Sequence, residues 1–154
     1  MFQFLKSLFK PKVIPMISLS DYLTASGAYP EREKSPEVTP EVIANAEKLL
    51  KAVNSLLTEL NIKFAKVSSG FRPSSVNAGI ANAAKKSSHM TGKAIDLLDD
   101  KSQSLAKLFA SKPELLRKYG LFLEDPESTK GKNSNWCHTD IADRPDRPSR
   151  IFKP

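Results

Sequence analysis

Two histidines and one aspartate are the residues of this 154-residue chain whose types suggest metal chemistry. His89 lies in the stretch SSHMTGKAID, Asp96 follows seven positions later, and His138 lies in NWCHTDIA. Two His and one Asp are a ligand set with which proteins hold a catalytic zinc, because the fourth position stays open for water or substrate. A histidine near an aspartate is more often a hydrogen-bonded structural pair, so spacing alone leaves both interpretations open.

Four predicted strands would position these side chains. They are the stretches IKFAKVSS, KAIDLLD, LFLED and NWCHTDIA, in which apolar residues alternate or cluster between polar turns. Gly92 is expected to let the chain turn sharply into the second strand, and Ala94 to leave space beside the site. Because side chains alternate along a strand, Trp136 is expected to share a face with His138 and Asp140.

Helical periodicity predicts the remaining elements. A long amphipathic helix is expected to be capped by Thr39, to begin at Pro40 and to end near Leu60. ISLSDYLTAS predicts a short helix before it, and the polar, proline-rich GAYPEREKSPEVTP between them predicts a loop. Residues 102–119 predict one or two helices split at Pro113. Helices before and between antiparallel-looking strands indicate an α+β domain.

Composition limits the class of protein. A chain with 40% hydrophobic and 27% charged residues is expected to form one compact domain, and we expect a monomer. Cys137 is the only cysteine, so an internal disulfide is excluded, and we interpret it as a small buried hydrophobe. Lysines and a proline interrupt the apolar residues 1–20 before a transmembrane length is reached, and no signal-peptide cleavage pattern follows. We therefore expect synthesis in the cytoplasm and no transmembrane segment.

The net charge of +7 is concentrated at the two ends of the chain. Residues 1–20 hold three lysines and no acidic residue, and residues 130–154 hold six basic residues against three acidic ones. Basic ends attract polyanions, although a solvated surface explains them as well. A nucleic-acid-binding protein would need an aromatic platform or a recognition helix, and the sequence indicates neither, so we expect no nucleic-acid partner.

Three motifs together resemble a known family. SSGFRP is followed by SSHMTGKAID and then by WCHTD. The pattern S-H-x-x-G-x-A-x-D is met at Ser88, His89, Gly92, Ala94 and Asp96. In these motifs the chain resembles the M15 family of zinc D-Ala-D-Ala carboxypeptidases and peptidoglycan endopeptidases, over about residues 17–152. The resemblance implies an α+β fold of the Hedgehog and D,D-peptidase type, with a small antiparallel sheet and flanking helices.

The resemblance also implies roles for individual residues. The Zn²⁺ ligands would be His89, Asp96 and His138. Arg72 would face the substrate, because a guanidinium can bind both oxygens of a peptide carboxylate, although a surface turn residue is the alternative. Ser88 would either line the site or cap the turn, and Trp136 would either wall the cleft or belong to the core.

The position of the catalytic base departs from the family pattern. Many members have a glutamate or aspartate three positions before the second histidine, and this chain has Asn135 there. An amide does not accept a proton near neutral pH, so another carboxylate would have to act. Asp140 is one candidate, and it could instead orient a zinc ligand. Glu124, in the neighbouring predicted strand LFLED, is the other.

The resemblance implies a zinc-dependent metallopeptidase that hydrolyses peptide bonds of peptidoglycan stem peptides. Either a D,D-carboxypeptidase or an endopeptidase is expected, of phage or bacterial type, and a phage lysin is one form. It would act on the cell wall, in the periplasm or envelope, or as a phage component. The alternative is a weakly active or inactive domain that binds zinc or wall peptide. The peptidase domain would span residues 17–154, preceded by a basic, apolar arm over residues 1–16.

Overall fold

The protein is an α+β domain, as predicted, in a computed structural model that describes residues 16–154. The arm expected over residues 1–16 lies outside the described residues, apart from Met16. The helices are α1 Leu19–Thr24, α2 Pro40–Glu59, α3 Ser74–Ala78, α4 Ser104–Ala110 and α5 Pro113–Lys118. The strands are β1 Val67–Ser69, β2 Ala94–Asp99, β3 Phe122–Glu124, β4 Asn135–Asp140 and β5 Ile151–Phe152.

The five strands form one sheet in the order β1-β2-β4-β3-β5. All pairs are antiparallel except β3 with β5, which run parallel. The central strands β2 and β4 pair along their whole length, and their register sets Asp96 opposite His138. Since side chains alternate between the faces of a sheet, these two share one face, while Leu97 and Cys137 pack into the core. The interpretation of Cys137 as a buried hydrophobe is confirmed.

The long helix α2 provides much of the core behind the sheet. Thr39 accepts a hydrogen bond from the Val42 amide at 3.3 Å, and Pro40 occupies the first helical position, where a missing N–H has no cost. The prediction of this helix is confirmed to within a residue of its end. Its buried stripe packs against the sheet and consists of Val42, Ala46, Leu49, Leu50, Val53, Leu56 and Leu57.

Some elements differ from the sequence-based expectations. The stretch IKFAKVSS pairs only over Val67–Ser69, because no strand lies beside its first residues, and Phe64 is 80% exposed. The expected loop contains a 3₁₀ turn over Pro30–Lys34. The short elements α3 and β5 were not predicted, because five and two residues are too few to show a periodicity. No helix within residues 16–154 is long and apolar enough to span a membrane.

Two glycines let the loops around the sheet approach the helices closely. A Cβ atom at Gly70 would lie 1.9 Å from the carbonyl oxygen of Tyr22 in α1. A Cβ atom at Gly92 would lie 2.4 Å from the carbonyl oxygen of Val42 in α2, and Gly92 has a φ of +80°. Both contacts involve backbone, which cannot move aside as a side-chain tip can, so neither position has room for a larger residue. The sharp turn predicted at Gly92 is confirmed.

We predict that Gly92→Ala lowers the free energy of unfolding by about 2–4 kcal/mol, since it adds a left-handed backbone penalty to a backbone collision. Chemical denaturation monitored by circular dichroism measures this difference. Gly79→Ala is the matched control, because Gly79 ends α3 with a φ of −83° and an added Cβ makes only ordinary contacts there. Equal stabilities of the two variants would contradict the prediction.

Candidate metal centre

The structure brings the three predicted ligand residues together at one place. Asp96 in β2 and His138 in β4 lie side by side on the sheet, and His89 reaches them from the turn that leads into β2. One ligand atom from each residue lies within 4.8 Å of the other two. The cluster lies at the surface end of the core, with His89 and Asp96 buried and His138 half-buried.

The ring of His89 is held in the tautomer that a metal ligand needs. Its Nδ1 lies 2.8 Å from the carbonyl oxygen of Gly70, so Nδ1 carries the proton and donates it. Burial lowers the pKa of His89, which favours the neutral ring. Its Nε2 therefore carries a lone pair, is buried without a hydrogen-bond partner among residues 16–154, and faces Asp96 Oδ2 at 3.3 Å.

Two electron-rich atoms that face each other in a buried site call for a cation between them. Ligand atoms about 2.1 Å from one tetrahedral ion lie about 3.4 Å apart, close to the spacing of His89 Nε2 and Asp96 Oδ2. A ligating histidine typically donates its other N–H to a backbone carbonyl, as His89 does. The donor set of two imidazoles and a carboxylate therefore fits a zinc-type ion.

His138 is held between two carboxylates. Its Nδ1 donates to Asp96 Oδ1 at 2.7 Å, and its Nε2 donates to Asp140 Oδ2 at 3.1 Å. Burial lowers the pKa of His138, but the hydrogen bonds to Asp140 and Asp96 outweigh it and raise the pKa to about 10. The bond to Asp140 fixes the ring so that Nδ1 faces Asp96, and Nδ1 is the nitrogen of His138 available to a shared ion.

Asp96 is shared by three cationic or polar groups. Besides the two imidazoles, the Arg72 guanidinium donates from Nη2 to Asp96 Oδ2 at 3.0 Å, and Arg72 Nε donates to Ser69 Oγ at 2.9 Å. Burial would raise the pKa of Asp96, but the two histidines outweigh burial and hold that pKa below its ordinary value. Arg72 therefore orients Asp96, and its Nη1 makes no hydrogen bond to residues 16–154.

The two candidate bases have opposite surroundings. The carboxylate of Asp140 accepts from His138, from the Ala142 amide and from Arg144, and only 1% of its side chain is exposed. Burial raises the pKa of Asp140, but the hydrogen bonds from His138 and Arg144 outweigh burial and lower it. Such a carboxylate is a weak proton acceptor and a strong positioning group.

Glu124 has no hydrogen-bond partner among residues 16–154 but lies beside the cluster. Its Oε2 is 3.7 Å from His138 Nδ1, and 14% of its side chain is exposed. Burial raises the pKa of Glu124; the charge of His138 opposes this increase, the charges of Asp96 and Asp140 add to it, and the net change is upward. A carboxyl group with a raised pKa and open lone pairs can take up and release a proton.

Asn135 is occupied by a structural role away from the cluster. Its side-chain amide donates to the carbonyls of Asp100 at 3.1 Å and Lys101 at 3.3 Å, and its Oδ1 accepts from the Gly131 amide at 3.3 Å. Three positions along a regular strand from His138, it lies on the opposite face of the sheet. Asn135, three positions before the second histidine, thus ties the ends of β2 and β4 together.

Ser88 and Trp136 lie near the cluster, but their side chains form no hydrogen bond with His89, Asp96 or His138. The Ser88 carbonyl accepts from the Thr91 and Lys93 amides, which closes the turn that carries His89. The half-buried Trp136 shares the strand face of His138 and pairs with Leu98, whose side chain is 44% exposed. The two residues form an apolar strip next to the cluster.

The sequence-based prediction missed several residues that hold the site. Ser69 positions Arg72, the Gly70 carbonyl fixes His89, and Arg144 pairs with Asp140 while its guanidinium stacks 3.6 Å from the centre of the Phe152 ring. The i,i+4 spacing of Asp140 and Arg144 is a signal that could have indicated their ion pair. The role of the Gly70 carbonyl cannot be predicted from residue type, because every residue has a backbone carbonyl.

The fold and the cluster define a candidate metal site on one face of a small mixed sheet, and comparison with known proteins gives the family of the chain. The family model described as Peptidase M15 matches residues 25–124, which is 100 of the 154 residues. The chain therefore belongs to the peptidase M15 family. The match includes His89, Asp96 and Glu124, and His138 lies beyond it. None of the curated proteins matches the chain.

We predict that the protein binds one zinc ion per chain and that His89→Ala and Asp96→Asn each weaken binding at least about 100-fold, since each removes one of three ligands. Isothermal titration calorimetry with zinc measures the affinity without any assay of activity. Glu47→Gln, an exposed carboxylate change on α2, is the control and should bind as the unmodified protein does. Unchanged affinity in both ligand variants would exclude the cluster as the metal site.

Proposed function

We propose that the protein is a zinc-dependent metallopeptidase that hydrolyses peptide bonds in the stem peptides of peptidoglycan. The proposal is supported by membership of the peptidase M15 family together with one observation, the cluster of His89, Asp96 and His138. The buried Nε2 of His89 in this cluster has no hydrogen-bond partner in the described part of the chain. An ion held by three protein ligands would keep coordination positions for a substrate carbonyl and a water molecule. The proposed place of action is the bacterial cell wall.

We assign the metal ligands to His89 Nε2, the Asp96 carboxylate and His138 Nδ1. A bound zinc ion would supply Lewis-acid activation of the scissile carbonyl and of water. Asp140 is a positioning residue in this scheme, because its hydrogen bond to His138 Nε2 holds the imidazole in place. Arg144 in turn holds Asp140 in its ionised form.

We assign the role of general base and acid to Glu124. Its carboxylate would take one proton from the attacking water as the new C–O bond forms, and would give that proton to the amine nitrogen as the C–N bond breaks. A pKa raised by burial suits both halves of this transfer, because the group must gain and lose the proton near neutral pH. Asp140 is less suited, since its oxygens are all engaged.

The remaining predicted residues would bind the substrate. Arg72 has Nη1 free to donate to a peptide carboxylate while Nη2 stays on Asp96. The apolar strip of Leu98 and Trp136 would line the cleft along the strand direction. The Ser88 hydroxyl makes no hydrogen bond within residues 16–154 and lines a pocket beside His89, where it could donate to the substrate.

We predict that Glu124→Gln lowers the rate of stem-peptide cleavage by about 10²–10⁴-fold while zinc affinity is retained, because the amide cannot relay a proton. Purified peptidoglycan is digested with the zinc-loaded protein, and the released fragments are identified by mass spectrometry, which also shows whether the terminal D-Ala or an internal bond is cut. Glu127→Gln, three residues further and exposed, is the matched control and should keep full activity.

Asn135→Glu is the companion variant in this assay. We expect no gain of activity from it, because residue 135 lies on the far face of the sheet and its side chain closes the β2–β4 end. If the unmodified protein releases no fragments and Asn135→Glu does, the assignment of Glu124 as the base is contradicted. That result would favour a zinc-binding domain without hydrolysis. Full activity in Glu124→Gln would also contradict it.

A further inference from the structure

A small basic pocket lies beside the metal cluster, and Ser88 is the one residue of its lining that the scheme above uses. Its cavity volume is about 350 Å³, and its lining includes Lys85, Lys86, Ser88, Lys93, Ala142 and Asp143. The pocket lies between the turn that carries His89 and the segment that follows β4. A cavity of this size holds one small group rather than a whole peptide.

The pocket has an excess of positive charge. It combines three lysines with one carboxylate, Asp143, and no ion pair formed by residues 16–154 uses any of the three lysines. Lys85 and Lys86 are exposed at the rim, and Lys93 is half-buried. Three ammonium groups without a carboxylate partner repel one another, so an anion that enters the pocket relieves this repulsion.

Both walls of the pocket are tied to residues of the metal cluster. Ser88 precedes His89 directly, and the Ala142 amide donates to Asp140 Oδ1 at 3.2 Å. The Ile141 amide donates to the Lys93 carbonyl at 2.9 Å, which joins the two chain segments that form the walls. A group bound here would therefore lie next to a substrate held at the cluster.

We propose that this pocket binds a carboxylate of an acidic peptide substrate, at a position along the chain separate from the bond that is cleaved. The proposal rests on the proposed function and narrows it to stem peptides that carry a free side carboxylate. The lysine ammonium groups supply the charge, and the unpaired Ser88 hydroxyl supplies a hydrogen-bond donor. The small volume of the pocket and the carboxylate of Asp143 favour a single anionic group over an extended polyanion, which needs a stripe of positive charge.

The test compares two synthetic stem peptides that differ only in one group, the free α-carboxylate of the γ-linked glutamate or its amide. Dissociation constants are measured for the zinc-loaded full chain by NMR titration, from the amide signals of Ser88, Thr91 and Lys93, so that no cleavage is needed. The variants are Lys93→Gln and the double variant Lys85→Gln with Lys86→Gln. The charge-matched controls are Lys51→Gln and Lys51→Gln with Lys107→Gln, which are exposed on α2 and α4.

We expect the peptide with the free carboxylate to bind about tenfold more tightly than the peptide with the amide, because the amide cannot form the charge-assisted hydrogen bond. This preference should disappear in both pocket variants and remain in the controls. If the free carboxylate peptide is cleaved, its KM should be about tenfold higher in the pocket variants than in the unmodified protein, with kcat unchanged. Equal binding of the two peptides, or a preference that survives both pocket variants, would overturn the pocket assignment.

The failure of the proposed function gives a different result from the failure of the pocket. Carboxylate-dependent binding without any cleavage would overturn the peptidase proposal and leave the pocket proposal standing. Cleavage with the same KM in the pocket variants and the controls would overturn the pocket proposal and leave the peptidase proposal standing. Inorganic phosphate that moves the same amide signals and displaces the peptide at equal concentration would show a general anion site and overturn the assignment to a peptide carboxylate.

Discussion

The rest of the site depends on compensation of the negative charge on the buried carboxylate of Asp96. Removed from water, it is compensated by hydrogen bonds from Arg72 and His138, while the lone pair of His89 Nε2 faces it at 3.3 Å. Loss of one partner of such a buried ionic group typically costs about 3–5 kcal/mol, because the remaining charge stays uncompensated. The positions of β1, β2, β4 and the His89 turn are thus coupled through one side chain, and a cation shared by the same atoms would strengthen that coupling.

The fold positions this carboxylate through backbone contacts as much as through side chains. The Tyr22 hydroxyl donates to the Ala94 carbonyl at 3.1 Å, which joins α1 to the start of β2. Gly70 lies against the backbone of the same tyrosine, and its carbonyl fixes His89. Helix α2 supports the turn from the other side, where Gly92 meets the Val42 carbonyl. The ligand residues are therefore placed by close packing of loops on helices, which leaves little freedom for the site to relax.

Residue type pointed to the two histidines and Asp96, and the family resemblance selected them as one cluster. Asp96 and His138 come together because β2 and β4 are regular strands that pair in register, so both side chains lie on one face. The same alternation could have shown that Asn135 lies on the opposite face from His138, so its amide is no loss to the chemistry there. The extents of β1, α3 and β5 depended on tertiary contacts that no local periodicity reveals. The difference between Glu124 and Asp140 likewise arises from partners distant in sequence or contributed by loops, above all Arg144.

Anomalous diffraction at the zinc edge, from crystals grown with zinc, tests the central claim most directly because it locates the ion itself. A single strong peak should appear between His89 Nε2, the Asp96 carboxylate and His138 Nδ1, with Asp140 still bonded to His138 Nε2 and Glu124 close to the ion without binding it. A peak elsewhere, or none at the cluster with zinc present in excess, would contradict the assignment of these residues as a metal centre.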